Sequence, residues 1–258
     1  MPDTLPRATN AEGAYRHINI ITLPEMRKKT FLILLMLAAV FAAQAESRWT
    51  FYGAYHNSLA NIPACGKVFS LCDGSIFSYS PSDSEAKIYD KTTGLGDADI
   101  KHMAYCEELE CFVLVYSNSN IDVFFPRHDK MSNLPQLMNS ALADKTVNDI
   151  TVSEKNAYIA TNSGVSVLNI SRLEFSRTYN IGAVSSAVRL NGKILAATSS
   201  GVMQGNEAEN LLDPSKWSKL NDPAFTKLRA LGDRLYAQAQ HVFEINPSTG
   251  VFVAIDNV

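Results

Sequence analysis

From residue 67 onward, short runs of β-branched and aromatic residues alternate with tight polar turns, and the same pair of runs recurs five times. The copies are 67–71 before 73–79, 112–116 before 118–124, 157–160 before 162–168, 193–197 before 199–203, and 234–237 before 241–245. Their equivalent turn positions, Gly74, Ser119, Gly164, Gly201 and Gln240, lie 45, 45, 37 and 39 residues apart. Apolar residues at alternate positions of short, turn-bounded runs predict strands, and glycine at the turn supplies the positive φ of a tight hairpin. A period of about 40–45 residues with two or more strands in each unit predicts the blades of a β-propeller.

The predicted fold class is therefore all-β: five recognisable blades of an incomplete larger propeller, occupying residues 46–258. A sandwich would space its strands without a recurring turn. Helical turns are expected only in the linkers near 134–142 and 210–216. An open ring would expose a flank at each end, with Val68, Phe69 and Phe77 on one and Leu235, Tyr236 and Phe243 on the other.

Ahead of this region the pattern changes. Met26-Arg27-Lys28-Lys29 leads into an apolar run over 31–41 and then Ala43-Gln44-Ala45, the order of a basic start, an apolar stretch and a small-residue cleavage site. The run is shorter than the ~20 apolar residues that span a bilayer. Residues 26–45 read as a signal peptide, residues 1–25 as an extension upstream of the true start, and Glu46 as the first residue of an exported chain, in the periplasm or on the outer cell surface. No cysteine follows the cleavage site to carry a lipid.

Charge and composition narrow the partners. Of 23 Lys+Arg and 26 Asp+Glu, residues 1–45 hold 5 and 3, leaving 18 against 23 for the exported part. A mildly acidic body has no general attraction for phosphate backbones, so nucleic acid is not expected as a partner.

Candidate chemistry is sparse. Cys106 and Cys111 flank Glu107-Glu108-Leu109-Glu110, which reads as a hairpin with a four-residue loop, so the two thiols could face each other and bridge. Four unpaired small core residues, the other two being Cys65 and Cys72, are an equal alternative. A zinc knuckle lacks its two-residue spacing, and His102 alone completes no ligand set. Asp90, Asp97 and Asp99 form a tight acidic group that could hold a hard cation, but solvated loop acids are the more frequent outcome. Trp49 and Trp217 could line a sugar site, with packing between blades the plainer reading. No H-E-x-x-H, Gly-x-Ser-x-Gly or phosphate-cradling loop is present, so no catalytic, cofactor or metal residue is assigned and the chain reads as non-enzymatic.

The run Thr93-Gly94-Leu95-Gly96-Asp97-Ala98-Asp99-Ile100, then Ala104-Tyr105 and Val115-Tyr116-Ser117-Asn118-Ser119-Asn120-Ile121-Asp122, resembles the N-terminal propeller of the PorZ family. Residues 144–150, 157–161 and 212–220 continue the resemblance in the same order. It implies a component of the type IX secretion system of Bacteroidetes, acting outside the outer membrane with other secretion proteins, a sortase-like partner and anionic lipopolysaccharide. Such proteins are longer, with two propellers and a C-terminal β-domain. This sequence stops at Val258, directly after its fifth unit, which reads as a fragment. Similar propeller phrases occur in the periplasmic sensors of hybrid two-component regulators, the alternative reading. A propeller lyase or glycosidase is a third.

Overall fold

A computed structural model of the chain describes residues 57–255. The chain divides into two units, residues 1–52 and 53–258, and the described residues all belong to the second. The segments expected to be a signal peptide, 26–45, and its upstream extension, 1–25, lie outside them, as does Trp49.

Five four-stranded antiparallel meanders follow one another. Blade one is β1 (Ser58–Ala64), β2 (Lys67–Cys72), β3 (Ser75–Ser80) and β4 (Glu85–Tyr89). Blade two is β5 (Ile100–Cys106), β6 (Cys111–Tyr116), β7 (Ile121–Phe125) and β8 (Lys130–Leu134). Blade three is β9 (Val147–Ser153), β10 (Asn156–Thr161), β11 (Gly164–Asn169) and β12 (Glu174–Tyr179). Blade four is β13 (Val184–Leu190), β14 (Lys193–Thr198), β15 (Gly201–Asn206) and β16 (Trp217–Asn221). Blade five is β17 (Lys227–Leu231), β18 (Arg234–Gln238), β19 (Val242–Ile245) and β20 (Phe252–Ala254). Each recurring pair of runs in the sequence is the second and third strand of a blade.

The first strands β1, β5, β9, β13 and β17 neighbour one another in chain order around the axis, and among the described residues the ring is not closed between blades one and five. Strand alternation then gives each middle blade two buried faces. On β6, Phe112, Leu114 and Tyr116 pack against Phe69, Leu71 and Ile76 of blade one, while Cys111, Val113 and Val115 pack against Ala157 and Ile159 of blade three. Ile194 and Ala196 of β14 likewise face blade three, and Leu195 and Ala197 face blade five. All six residues of β6 are consequently buried, so the strand reads as a continuous apolar run.

The flanks of the open ring differ from expectation. Phe69 and Leu235 turn inward, at 1 % and 0 % exposure, because their side of the strand faces the neighbouring blade. Tyr79 and Ile88 are the exposed large apolar side chains of the blade-one sheet, together with Leu59, and Leu231 and Val253 are exposed on blade five.

The hairpin turns obey a common geometry. Gly164 and Gly201 open β11 and β15 at φ +143 and +117, and each lies three residues after a threonine whose Oγ1 donates to the glycine carbonyl, Thr161 at 3.0 Å and Thr198 at 2.8 Å. Ser119 holds φ +66 without being glycine, whereas Gln240 is not among the positive-φ residues. Linker turns form as expected: Asn139 N–H donates to the Pro135 carbonyl, and Pro214–Lys216 is a 3-10 turn. A second 3-10 turn, Lys91–Thr93, is capped by Asp90 and was not signalled by an apolar pattern.

Candidate functional site at the propeller axis

Four first strands bring polar side chains to the axis. Asp149 of β9, with its side chain 3 % exposed, accepts from the Ser186 hydroxyl of β13 at 2.6 Å, from Lys227 Nζ of β17 at 2.9 Å, and from Arg229 Nη1 and Nη2 at 2.7 and 3.1 Å. Burial by itself would raise the Asp149 carboxyl, but the hydrogen bonds and charge of Arg229, with Ser186 and Lys227, hold it below the usual carboxylate range. Ser186 Oγ also accepts from the Leu228 N–H at 2.9 Å, so its one proton is left for the carboxylate. One aspartate thus joins blades three, four and five.

His102 of β5 adds the second blade. Its Nε2 lies 3.0 Å from the Val147 carbonyl, which can only accept, so the ring proton sits on Nε2. Burial is the main cause that depresses its basicity, ahead of the opposing pull of the Val147 carbonyl and the repulsion of Lys227. Thr151 and Asn148 extend the stitching, donating to the Ala187 and Val184 carbonyls at 2.6 and 2.8 Å. Next to this cluster is a cavity of about 380 Å³ lined by Ile150, Thr151, Val152, Arg189 and Arg229 among others. Arg189 is itself engaged by Glu207 and Glu154, both at 2.8 Å.

Serine, histidine and aspartate are the residue types of a hydrolase triad, but the connections differ. A triad runs from serine to histidine to aspartate. Here Asp149 takes the serine proton directly and His102 faces a backbone carbonyl. The cluster is built to hold strands together.

A second buried carboxylate fixes the linker between blades one and two. Asp122, 0 % exposed, accepts from Gly96 N–H at 2.6 Å, Tyr116 Oη at 2.5 Å and Asn133 Nδ2 at 2.8 Å. Burial, and then the Asp122 contact, pushes the Tyr116 hydroxyl well above its ordinary range.

The acids singled out in the sequence are satisfied by the chain. Asp90 caps its 3-10 turn, Asp97 pairs with Lys91 at 3.0 Å and accepts from Asn118, and Asp99 pairs with Lys101 at 2.8 Å. Among the described residues no three His, Cys, Asp or Glu gather where they could hold a metal ion. Trp217 is a packing residue: its Nε1–H donates to the Leu211 carbonyl at 3.0 Å and its ring meets Tyr179 edge-on.

The Cys106–Cys111 hairpin is present with its four-residue loop, and the register sets the two residues directly opposite each other. Both are free thiols and fully buried in the seam between blades two and three.

Sequence reasoning did not pick out the axial cluster. Its traces were Asp149 inside an apolar strand and two cations spaced i, i+2 at Lys227 and Arg229, which places them on one face of β17.

Meandering four-stranded blades that follow one another around an axis knitted by side chains define a β-propeller domain. The family described as TSS9, PorZ, N-terminal beta-propeller domain matches residues 68–218, more than half of the chain. The chain belongs to this family.

Solved structures agree. PorZ of Porphyromonas gingivalis, described as an essential bacterial surface component of the type-IX secretion system, is 27 % identical with a TM-score of 0.71 over 78 % of this chain. The match covers 28 % of that protein, so this chain spans well under half of its length. The extracellular domain assigned to a hybrid two component system of B. thetaiotaomicron is 14 % identical, with a TM-score of 0.57 over 80 % of this chain and 28 % of its own. The WD40 domain of Neurospora crassa Pan2 is 11 % identical, with a TM-score of 0.53 over 74 % of this chain and 61 % of its own. These last two share the fold alone. No curated protein sequence matched the chain.

Proposed function

We propose that the chain is a non-enzymatic, exported assembly module of the type IX secretion system, contributing a PorZ-type N-terminal propeller to the complex that attaches cargo at the cell surface. The observation that carries the reading is the family match across residues 68–218 on a fold that superimposes on PorZ. The partners we infer are other secretion-system proteins, a sortase-like attachment enzyme among them, and anionic lipopolysaccharide. Export through residues 26–45, with Glu46 as the new N-terminus, belongs to the same proposal. Among the described residues no helix is long and apolar enough to cross a membrane.

The test is deletion of the gene from its host, followed by assay of cargo in the medium and on the cell surface. Loss of surface-attached cargo, restored by the wild-type gene and with retention of the chain outside the cytoplasm, is the expected result. Normal cargo attachment in the deletion strain sinks the reading. Edman sequencing of the exported chain checks the cleavage site, and recovery of Met1 or Met26 there overturns that part.

A further inference from the structure

We propose that Cys106 and Cys111 form a cross-strand disulfide at the closed end of the β5–β6 hairpin, and that making it gives up a hydrogen bond between the second and third blades. The inference concerns the state of this hairpin and stands whatever the secretion role proves to be.

The geometry comes from register. Cys106 and Cys111 are the last paired residues before the loop, directly opposed and on the same face of the sheet. Directly opposed residues of antiparallel strands have Cα atoms about 4.5–5.5 Å apart, within the roughly 4.4–6.8 Å that a disulfide spans. Both side chains are 0 % exposed and point into the same seam. Cys106 Sγ also donates to the Glu154 carbonyl on the β9–β10 turn at 3.2 Å. That bond links the two blades.

The thiols are not equivalent. The Cys111 hydrogen bond holds the Cys106 thiol down at about 7 against the effect of burial, while the same contact and burial push Cys111 up. Taken with Cys106 as the first to react, the step begins when its thiol gives its proton to solvent as the hairpin end opens, leaving the thiolate as the attacking group. It attacks a donor disulfide, glutathione disulfide or an oxidoreductase, forming a mixed disulfide and releasing one donor thiolate. Cys111 loses its proton to solvent, attacks the Cys106 sulfur and expels the second donor thiolate. Two S–H bonds are replaced by one S–S bond, and the donor disulfide takes the two electrons and becomes two thiols. Access needs only the hairpin end to open, at a loop whose Glu107 and Glu108 are exposed.

Oxidation removes the Cys106 proton, and with it the donor to Glu154. The Glu154 backbone is already at φ +52, and its carboxylate reaches Arg189 of blade four at 2.8 Å. The redox state of the hairpin is thus connected to a blade-three turn whose Glu154 side chain pairs with blade four.

In the test, the full chain is equilibrated with glutathione disulfide, both folded and during refolding from denaturant, then quenched in acid and alkylated without reduction. Cleavage at Glu107, Glu108 and Glu110 separates the two cysteines. The expected product is one linked pair of peptides that parts on reduction and is absent from Cys111→Ser. Alkylated or separately glutathionylated Cys106 and Cys111 in both arms overturns the bridge. Hydrogen exchange of the Glu154–Lys155 turn should be faster in the oxidised chain and should return to the slower rate when the bridge is reduced. Equal exchange in the two states overturns the interblade consequence.

Discussion

Asp149 on blade three and Arg229 on blade five form a two-pronged ion pair across the axis, with Nη1 at 2.7 Å and Nη2 at 3.1 Å from the carboxylate oxygens. The residues are 80 positions apart, and Ser186 of the intervening blade donates to the same carboxylate. One side chain therefore reports whether three blades are assembled.

Replacing Asp149 with Asn should destabilise the domain by about 2–4 kcal/mol. Removing one partner of a buried pair costs roughly 3–5 kcal/mol, and the half-exposed Lys227 and Arg229 recover part of that through hydration. Lys227→Ala should cost less, since Arg229 still serves the carboxylate. Urea denaturation of the three proteins checks the order, and an Asp149→Asn loss below that of Lys227→Ala would contradict it.

The same site sets an acid dependence. The folded Asp149 carboxyl titrates below its unfolded value of about 3.9. Its contribution is present above that unfolded value and is lost as pH falls through the folded one. Denaturant midpoints measured from neutral pH down into the acid range should fall, and should fall less steeply in Asp149→Asn. Parallel curves for the two proteins would remove Asp149 as the cause.

Much of the fold was legible because the second and third strands of each blade pack on both sides. Val113 and Leu114 point to different seams, yet both are buried, so apolar runs such as 112–116 stand out. Fourth strands did not stand out. Glu174–Tyr179 and Lys130–Leu134 lie at the outer edge with mostly polar, solvent-facing residues, and no periodicity marks them. The axial cluster was hidden for another reason: Asp149, Ser186 and Arg229 meet only through the curvature of the ring, which no local spacing encodes. The thiol pair was legible because a hairpin is a local structure.

Two glycines with positive φ should respond very differently to alanine. A Cβ on Gly201 would lie 2.1 Å from the Asn221 carbonyl oxygen, and its φ is +117. On Gly192, at φ +72, a Cβ would meet nothing within 4 Å. Gly192→Ala should cost about 1–2 kcal/mol from backbone strain alone, and Gly201→Ala roughly 3 kcal/mol or more because backbone must also move. Thermal melting of both variants checks this, and equal losses would mean that the β15–β16 edge yields freely.

The open ring carries a prediction about association. Tyr79 at 41 % and Ile88 at 37 % exposure lie on the blade-one sheet, and Leu231 at 67 % and Val253 at 63 % on blade five. Exposed apolar surface concentrated on two sheets that elsewhere in the ring would be covered by a neighbour favours self-association. Arg234 and Glu244 temper this on blade five by pairing with each other beside Tyr236. A protein of residues 46–258 should therefore sediment as a concentration-dependent mixture of monomer and larger species. Leu231→Lys with Val253→Lys should shift the distribution towards monomer without changing the far-ultraviolet circular dichroism. A compact monomer of the unsubstituted protein at all concentrations would show that these flanks are covered within one chain.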